Sequence, residues 1–200
     1  MKRFSSIRFA VFAVLCLALG RSGFAQKVTV RLDPAETEIK WTLTDTLHVV
    51  HGTFKLKSGI MMFDPKTGIA EGEILVDAAS GASGNSMRDS SMKKKVLETD
   101  KYPAVFFHPA KIAGEPRPGT LQDMTIDGSF NIHGADHALR MGVKVQMDGD
   151  KVTATTHFVV PFVDWGMKDP SNFVLKVGKQ VDVDVVAHGT IEGMPESAVR

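Results

Sequence analysis

The sequence predicts an all-β protein in which short antiparallel strands form a sandwich or a barrel. Apolar and polar residues alternate along VDVDV at 181–185, IKWTL at 39–43 and FKLK at 54–57. This period of two is typical of strands with one buried and one solvated face. Turn-forming runs such as DPKTG at 64–68 and DGD at 148–150 separate the strands. Many short strands with regular turns favour an antiparallel sheet over a parallel one.

Weaker strand patterns fill most of the remaining chain. They lie at 27–32, 59–63, 69–77, 104–112, 123–132, 138–147, 152–162 and 173–177. The Gly- and Ser-rich stretch 79–84 is predicted to be a loop inside one domain. Residues 85–97 instead predict a helix capped by Asn85 or Ser86. Its apolar side is predicted to comprise Met87, Met92, Val96 and Leu97.

The first 25 residues have the pattern of a cleaved secretory signal peptide. Three basic residues precede an apolar run at 10–19, and the small residues Gly23 and Ala25 precede a predicted cleavage site before Gln26. The apolar run is about half as long as the ~20 residues that a membrane-spanning helix needs. A cleaved leader is therefore favoured over a permanent anchor.

Removal of residues 1–25 would leave 26–200 as a single domain, exported to a bacterial periplasm or secreted beyond it. The single cysteine, Cys16, lies in the leader and follows Leu15, whereas a lipidated cysteine needs a small residue before it. We therefore expect neither lipidation nor a disulfide. Residues 26–200 contain 20 basic and 23 acidic residues, a formal net charge of −3. This balance disfavours a nucleic-acid-binding protein.

The seven histidines and the carboxylates form no recognised catalytic motif. His133 and His137 flank a turn and could hold a metal ion with Asp136, or they could hydrogen-bond the backbone and face solvent. Asp182 and Asp184 share the polar face of an alternating strand, which predicts solvated carboxylates rather than an acid–base pair. A Gly-x-Ser-x-Gly elbow, a His-Glu-x-x-His helix and a Gly-rich phosphate loop are absent from the sequence. We therefore predict no catalytic residues, no metal ligands and no cofactor.

The inward-facing apolar positions allow two interpretations of the interior. A barrel of about eight strands can be filled by side chains, or it can hold one small ligand. Gly52, Gly72 and Gly128 lie among the inward positions, where a missing side chain leaves a void or marks a bulge. The residue pattern alone leaves both interpretations open.

Several segments, taken in order, resemble the motifs of the YceI-like family. They are HGTF at 51–54, GNSMRD at 84–89, KYPAVFF at 101–107, DGSFNIHG at 127–134, DWGM at 164–167 and GKQVDV at 178–183. Each motif is weak alone, but together they follow the order and spacing of the family over roughly residues 28–190. The resemblance implies an eight-stranded antiparallel lipocalin-like β-barrel with one short helix, at about 85–98, packed beside it.

The resemblance also implies an exported, non-catalytic protein that sequesters or carries a long apolar ligand in the barrel cavity. Family members bind long amphiphiles, notably polyisoprenoids, so a polyisoprenoid, an isoprenoid quinone or a similar lipid is expected here. The inward positions then predicted to line the cavity are Trp41, Phe54, Ile74, Val76, Val105, Phe107, Ile126, Phe130, Ile132, Met141, Val143, Phe158, Val160, Phe162 and Val183. Many relatives have Arg two residues before the Asp of the DWGM motif, where this chain has Phe162. A head-group contact or internal salt bridge made by such an Arg would therefore be missing.

The predicted helix carries polar residues that we expect at the mouth of the cavity. Arg88, Asp89 and Lys93 are predicted to contact a ligand head group. Alternatively, Arg88 and Asp89 form a salt bridge that anchors the helix to the sheet. The run 93–95, three lysines, is either a solvated helix face or a surface for transient contact with an anionic membrane. The oligomeric state is open, and a dimer is one alternative.

Two other functions stay open. The first is an envelope stress-related adaptor, for which we expect a filled barrel and an exposed apolar patch. The second is a His-dependent periplasmic enzyme that uses His51, His133 or His137, for which at least two polar side chains would meet inside the barrel. The alternation along the strands places most histidines outward or in turns, which favours a binding protein.

Overall fold

Nine strands and one short helix are found in residues 27–114, 117–173 and 176–194, the parts of the chain that a computed structural model describes. The strands are β1 (Val28–Leu32), β2 (Glu38–Thr44), β3 (Val49–Phe63), β4 (Ala70–Ala82), β5 (Ala104–Ala113), β6 (Gln122–Ile132), β7 (Ala135–Asp148), β8 (Lys151–Val160) and β9 (Val181–Glu192). The helix α1 (Ser86–Ser91) continues into a π-helical turn at Met92–Val96. The predicted signal peptide at 1–25 lies outside the described residues, and the boundaries of the 26–200 domain stay a prediction.

The strands form a closed antiparallel sheet, because β1 and β2 share one position between β3 and β9. Strand β1 pairs with residues 60–63 of β3 and with residues 189–192 of β9. Strand β2 pairs with residues 49–54 of β3 and with residues 182–186 of β9. The other strands follow in order from β9 back to β4, which pairs with β3. The nine described strands therefore occupy eight positions, which confirms the predicted eight-stranded antiparallel barrel.

A turn after Asp33 separates β1 from β2. The Asp33 carboxylate accepts a hydrogen bond from Ala35 N–H at 2.8 Å, and its carbonyl accepts one from Thr37 N–H at 3.0 Å. Pro34 has no N–H to donate, so the ladder cannot continue through it. The chain therefore leaves the sheet after β1 and re-enters it as β2 at the same position.

The predicted loop at 79–84 is wrong, because most of it belongs to β4. This strand continues to Ala82, which still pairs with Thr53 of β3. Two register shifts in the pairing of β3 with β4 allow this continuation. Irregularities of this kind insert extra residues and bend a strand without ending it. The small residues of the segment therefore accompany a bent strand rather than a loop.

Two predicted strand boundaries after residue 150 are also wrong. Strand β8 ends at Val160 rather than at 162, since Pro161 cannot donate to the ladder and Phe162 begins a turn. The predicted strand at 173–177 is not found in its described residues, where Val177 forms only an isolated bridge with Asp45. The described residues between β8 and β9 therefore form mostly a connection without strands at one end of the barrel.

Apolar clusters fill one end of the barrel and leave the other end less packed. The cluster at the first end, called the closed end, consists of Val28, Val30, Phe63, Ala70, Ile112, Met124, Met147, Val152 and Ile191. The buried cluster near the second end, called the open end, consists of Ile132, Val160, Phe162 and Met167. Around the middle, a third buried cluster consists of Phe107, Met141 and Val143. The interior is thus packed most heavily at the closed end.

At Gly52 the missing side chain makes room for an aromatic ring. Gly52 pairs with Trp41 across β2 and β3, and a methyl group on Gly52 would lie 2.3 Å from Trp41 Cζ2. The same methyl group would lie 2.5 Å from the carbonyl oxygen of Ala82. The indole ring therefore occupies the space that the sequence alone would assign to a void or a bulge.

We expect Gly52→Ala to lower the free energy of unfolding by about 1–3 kcal/mol, the usual cost of overpacking a core. Gly142→Ala is a matched control, because Gly142 also lies in a strand but a methyl group there would meet open space. The control should lose no stability, since Ala is favoured over Gly in a strand. Urea unfolding followed by tryptophan fluorescence measures both variants. Equal stability of G52A and the wild type would contradict the role given to the Trp41 ring.

Candidate functional site

A cavity of about 570 Å³ extends inside the barrel from the closed end to the open end. Its wall includes Val30 and Met124 from the closed-end cluster and Met167 from the open-end cluster. All fifteen residues predicted to line the cavity lie on its wall. Most do so because inward-facing residues alternate with outward-facing ones along each strand of a barrel. Their contact with a ligand stays a prediction.

The wall of the cavity is almost entirely apolar. In the described parts of the chain, the polar side chains on the wall are those of Thr37, Asp45, Arg88, Ser91 and Thr156. The Thr156 hydroxyl donates to the Gly142 carbonyl at 2.8 Å, so its hydrogen is directed to the backbone. The volume lies in the range of ~300–1,000 Å³ that is typical of small-molecule sites. The filled barrel expected for the adaptor is therefore wrong.

The cavity opens at the end where α1 lies. Among the described residues of its wall, only Arg88 of α1 and Pro170 of the β8–β9 connection are exposed. Asp45 and Val177, which form an isolated β-bridge, line the cavity at the same end. The opening bounded by Asp45, Arg88, Ser91, Pro170 and Val177 is called the mouth.

Hydrogen bonds before and after α1 hold the helix at the open end. Asn85 caps its first turn, because the Asn85 Oδ1 accepts from the N–H groups of Met87 and Arg88, both at 3.1 Å. After the π-helical turn, Glu98 hydrogen-bonds His133 of the β6–β7 turn at 2.6 Å.

No helix in the part of the chain that the structure describes is long and apolar enough to cross a membrane.

The predicted apolar side of the helix is correct for three residues and wrong for Met87. Met92, Val96 and Leu97 line the cavity, but Met87 is 81% exposed. Arg88 takes the expected place of Met87 on the cavity side. Arg88 and Met92 are four apart and share one face of the helix, whereas Met87 lies on its exposed side.

Arg88 and Asp89 both bind Ser83, which lies between β4 and α1. Arg88 donates from Nε to the Ser83 hydroxyl at 2.7 Å and from Nη2 to the Ser83 carbonyl at 3.0 Å. Asp89 accepts from the Ser83 N–H at 2.9 Å and from the Ser83 hydroxyl. These bonds, the hydroxyl bond first, lower the pKa of Asp89 below its usual range. Both side chains therefore anchor the helix, although through Ser83 rather than through the predicted salt bridge.

Of the three predicted head-group contacts, Arg88 alone lies on the cavity wall. Asp89 is turned towards Ser83, and Lys93 is half-buried on the π-helical turn without lining the cavity. Asp89 and Lys93 do not line the cavity, and their contact with a head group stays a prediction.

Asp45 is a mouth residue that the sequence analysis missed. Its carboxylate accepts from the N–H groups of Leu47 and His48, both at 2.7 Å, and its side chain is only 12% exposed. The two backbone bonds, and to a smaller extent the charge of Arg88, lower the pKa of Asp45. The mouth thus carries a carboxylate and a guanidinium. The hydrogen bonds of the Asp45 carboxylate to nearby backbone N–H groups are predictable from the local sequence. The position of Asp45 at the mouth is not, because it depends on the bridge to the distant Val177.

The histidines of the described residues lie outside the cavity. His157 contacts Asp184 at 2.9 Å and Asp182 at 3.6 Å on the outer face of the barrel. His137 stacks on the ring of Trp165, with 4.1 Å between ring centroids. The convergence of polar groups inside the barrel that the enzyme alternative requires is not seen on the described wall.

The turn of His133, Asp136 and His137 was one candidate for a metal site. Asp136 instead accepts a hydrogen bond from the Asn131 amide at 2.9 Å, which is the main cause of its lowered pKa. His133 is engaged with Glu98. Within the described ranges, no group of three or more His, Cys, Asp and Glu side chains is placed to hold a metal ion.

The barrel, its helix and its apolar cavity agree with a family model, described as the YceI-like domain, that matches residues 31–188. This chain belongs to the YceI-like family. The matched range extends from the end of β1 into β9 and so includes the whole cavity wall from β2 to β8. No curated protein matches the chain.

The YceI-like barrel is similar to solved structures from other organisms. BcnA of Burkholderia cenocepacia is 18% identical with a TM-score of 0.64, over 80% of this chain and 99% of that one. A polyisoprenoid binding domain from Saccharophagus degradans is 16% identical with a TM-score of 0.64, over 82% and 98%. The YceI protein of Campylobacter jejuni is 16% identical with a TM-score of 0.58, over 72% and 86%. At these identities the similarity shows the fold.

The lowered pKa of Asp89 predicts a pH dependence of the helix anchor. Because the carboxylate form is stabilised by Ser83, the anchor is fully present above the ordinary aspartate pKa of about 3.9 and is lost as pH falls through the lower folded-state value. Carbon-13 NMR titration of the Asp89 carboxyl should give a midpoint below ~3.9. Ser83→Ala should raise that midpoint. A titration midpoint at or above ~3.9 in the wild type would show that the Ser83 hydrogen bonds do not stabilise the Asp89 carboxylate.

Proposed function

We propose that this YceI-like protein is an exported binding protein that sequesters or carries a long apolar ligand and catalyses no reaction on it. The observation that carries this proposal is the cavity, whose wall is apolar and whose charged side chains in the described chain, Asp45 and Arg88, lie at the mouth. Such a site suits a molecule with a long apolar chain and one polar end. The solved polyisoprenoid binding domain from Saccharophagus degradans supports a polyisoprenoid, an isoprenoid quinone or a similar lipid as the ligand class.

Burial of the apolar chain of the ligand would supply the affinity. Each CH₂ group transferred from water to an apolar wall gains about 0.8 kcal/mol. A chain of ~40 carbons would nominally gain more than the ceiling of ~18–21 kcal/mol for non-covalent binding, so chain ordering and incomplete burial must offset the difference. The length of the cavity and the polar mouth would therefore select the ligand, rather than many hydrogen bonds.

The state of the two charged mouth residues supports binding rather than catalysis. Both backbone N–H donors to Asp45 bind its Oδ1, and the Arg88 guanidinium donates to Ser83 from Nε and Nη2. Groups held in this way offer a fixed polar rim for a head group. In the described residues no histidine lines the cavity to act beside them as a general acid or base.

The proposed place of action is the periplasm. The support is the leader pattern at 1–25 and the lack of cysteine in 26–200, which leaves no thiol to react in an oxidising compartment. A lipid of the proposed class is nearly insoluble in water, so a carrier between membranes would have to enclose its chain.

Native mass spectrometry of the protein purified from its own periplasm, followed by solvent extraction, tests the proposed function. We expect a discrete added mass that is extracted as an isoprenoid or another long-chain lipid. The proposal would be rejected if the protein is bare and also takes up no added polyprenyl or quinone lipid.

A substitution that fills the cavity should abolish uptake without unfolding the barrel. Ala154 lies on the cavity wall, whereas its neighbour Thr155 is exposed on the outer face of β8. We expect Ala154→Trp to lower the affinity for a polyprenyl lipid at least tenfold, a loss of ~1.4 kcal/mol or more, because the indole takes the space of the ligand. Thr155→Trp is the control and should bind like the wild type, because it points outward.

Fluorescence titration with the lipid measures the affinity of both Trp variants, and thermal unfolding verifies that both are folded. If the two folded variants bind equally, the ligand does not occupy the cavity.

Arg88→Ala tests whether the mouth contacts a head group. We expect about fivefold weaker binding of a pyrophosphate-headed polyprenyl lipid, because an exposed charge-assisted hydrogen bond contributes ~1 kcal/mol. Binding of the polyprenyl hydrocarbon without a head group should not change. Lys111→Ala, which removes an exposed cation from β5, is the control. Unchanged affinity of R88A for the pyrophosphate lipid would reject the assignment, and equal losses for both lipids would assign Arg88 to helix anchoring alone.

A further inference from the structure

The most exposed large apolar side chains of the described residues surround the mouth. Phe173 is 99% exposed, Met87 is 81% exposed and Leu47 is 72% exposed. Each lies close in the chain to a residue of the mouth, namely Pro170, Arg88 and Asp45 respectively. Single exposed apolar residues are common on soluble proteins, but these three each lie within three residues of the mouth of an apolar cavity.

Hydrogen bonds tie two of the three rim segments together. Thr46 N–H donates to the Lys176 carbonyl at 2.9 Å, and Lys176 N–H donates to the Thr46 hydroxyl at 3.1 Å. The loop that carries Leu47 is therefore held beside the β8–β9 connection that carries Phe173. Helix α1 belongs to the same opening, since Arg88 lines the cavity together with Asp45, Pro170 and Val177. The three apolar side chains thus belong to one end of the barrel.

Basic residues lie among the apolar ones at this end. Arg88 and the three lysines at 93–95 lie within eight residues of α1 and its π-helical turn, and Lys176 lies across the mouth. Carboxylates are also present at this end, but those of Asp45, Asp89 and Asp169 accept hydrogen bonds from Ser83 or from backbone N–H groups, and that of Glu98 contacts His133. The charge at the rim therefore complements an anionic surface.

We infer that the open end of the barrel docks on an anionic phospholipid bilayer. Leu47, Met87 and Phe173 insert among the head groups, and the lysines of α1 and Lys176 contact lipid phosphates. Apolar side chains that enter the interface beside basic ones are typical of proteins that lie on membranes. This inference rests on the proposed function, because docking in this orientation lets a lipid chain pass from the bilayer into the cavity without crossing water.

Vesicle flotation tests the docking with two vesicle compositions, pure phosphatidylcholine and phosphatidylcholine with ~30% phosphatidylglycerol. The anionic phosphatidylglycerol attracts basic residues electrostatically, and this attraction weakens as the salt concentration rises. We expect the wild type to float with the anionic vesicles and to be released by high salt. Met87→Asp with Phe173→Asp should reduce flotation at least tenfold. Lys94→Glu with Lys95→Glu and Lys176→Glu should remove the preference for anionic vesicles.

The matched control is Ile69→Asp with Leu121→Asp, which changes two apolar residues that are 66% and 59% exposed and lie away from the mouth. This control should float like the wild type. Equal losses in the control and in the Met87 and Phe173 variant would overturn the assignment of the docking face, and so would wild-type protein that fails to float.

Uptake of a polyprenyl lipid from detergent micelles separates this inference from the proposed function. We expect the docking variants to take up the lipid from micelles as the wild type does, since none of their substituted residues lines the cavity. A wild type that takes up the lipid but does not float would overturn docking and leave the proposed function standing. A wild type that floats but takes up no lipid from micelles would support docking and overturn the proposed function.

Discussion

Closure of the sheet is the constraint on which the rest of the structure depends. Because β1 and β2 together complete the ladder between β3 and β9, each described strand has hydrogen-bonded neighbours on both sides and no long edge is left open. The backbone groups are thus satisfied between strands, whatever fills the interior. The ladder and the closed-end cluster can therefore hold the fold while the rest of the inner wall stays free. A cavity of about 570 Å³ is compatible with such a barrel.

The two ends of the barrel are held in different ways, and this difference places the mouth. Buried side chains from several strands fill the closed end. The open end is covered by a six-residue helix and a π-helical turn, and a helix this short has little stability of its own. It depends on the Asn85 cap, the Ser83 bonds and the contact of Glu98 with His133. Segments with few buried contacts open most easily, so the open end is the end that costs least to move.

The sequence predicts the wall of the cavity better than its mouth, and the reason is physical. Whether a strand residue points inward depends on its immediate neighbours, so alternation along the chain suffices to place the wall. The mouth joins segments far apart, since Thr46 bonds Lys176, 130 residues away, and brings Asp45 beside Val177. Local patterns carry no information about such contacts.

The prediction for Met87 is wrong for a related reason, because the face of a helix that meets the cavity depends on how the helix docks. The resemblance to the family supplied the number of strands, which alternation alone left open.

Phe162 determines how far the apolar wall extends towards the mouth. It is 6% exposed and packs in one cluster with Val160 and Met167. An ionic side chain at this depth would have to be desolvated when an apolar chain enters. With Phe162 there, the charges of the described wall are left at the rim, on Arg88 and Asp45. A ligand whose polar group lies part-way along its chain would leave that group unpaired against the apolar parts of the wall, away from the hydroxyls of Thr37 and Thr156, at a cost of about 1–3 kcal/mol. The barrel therefore favours molecules whose polar group lies at one end, where it can stay in water at the mouth.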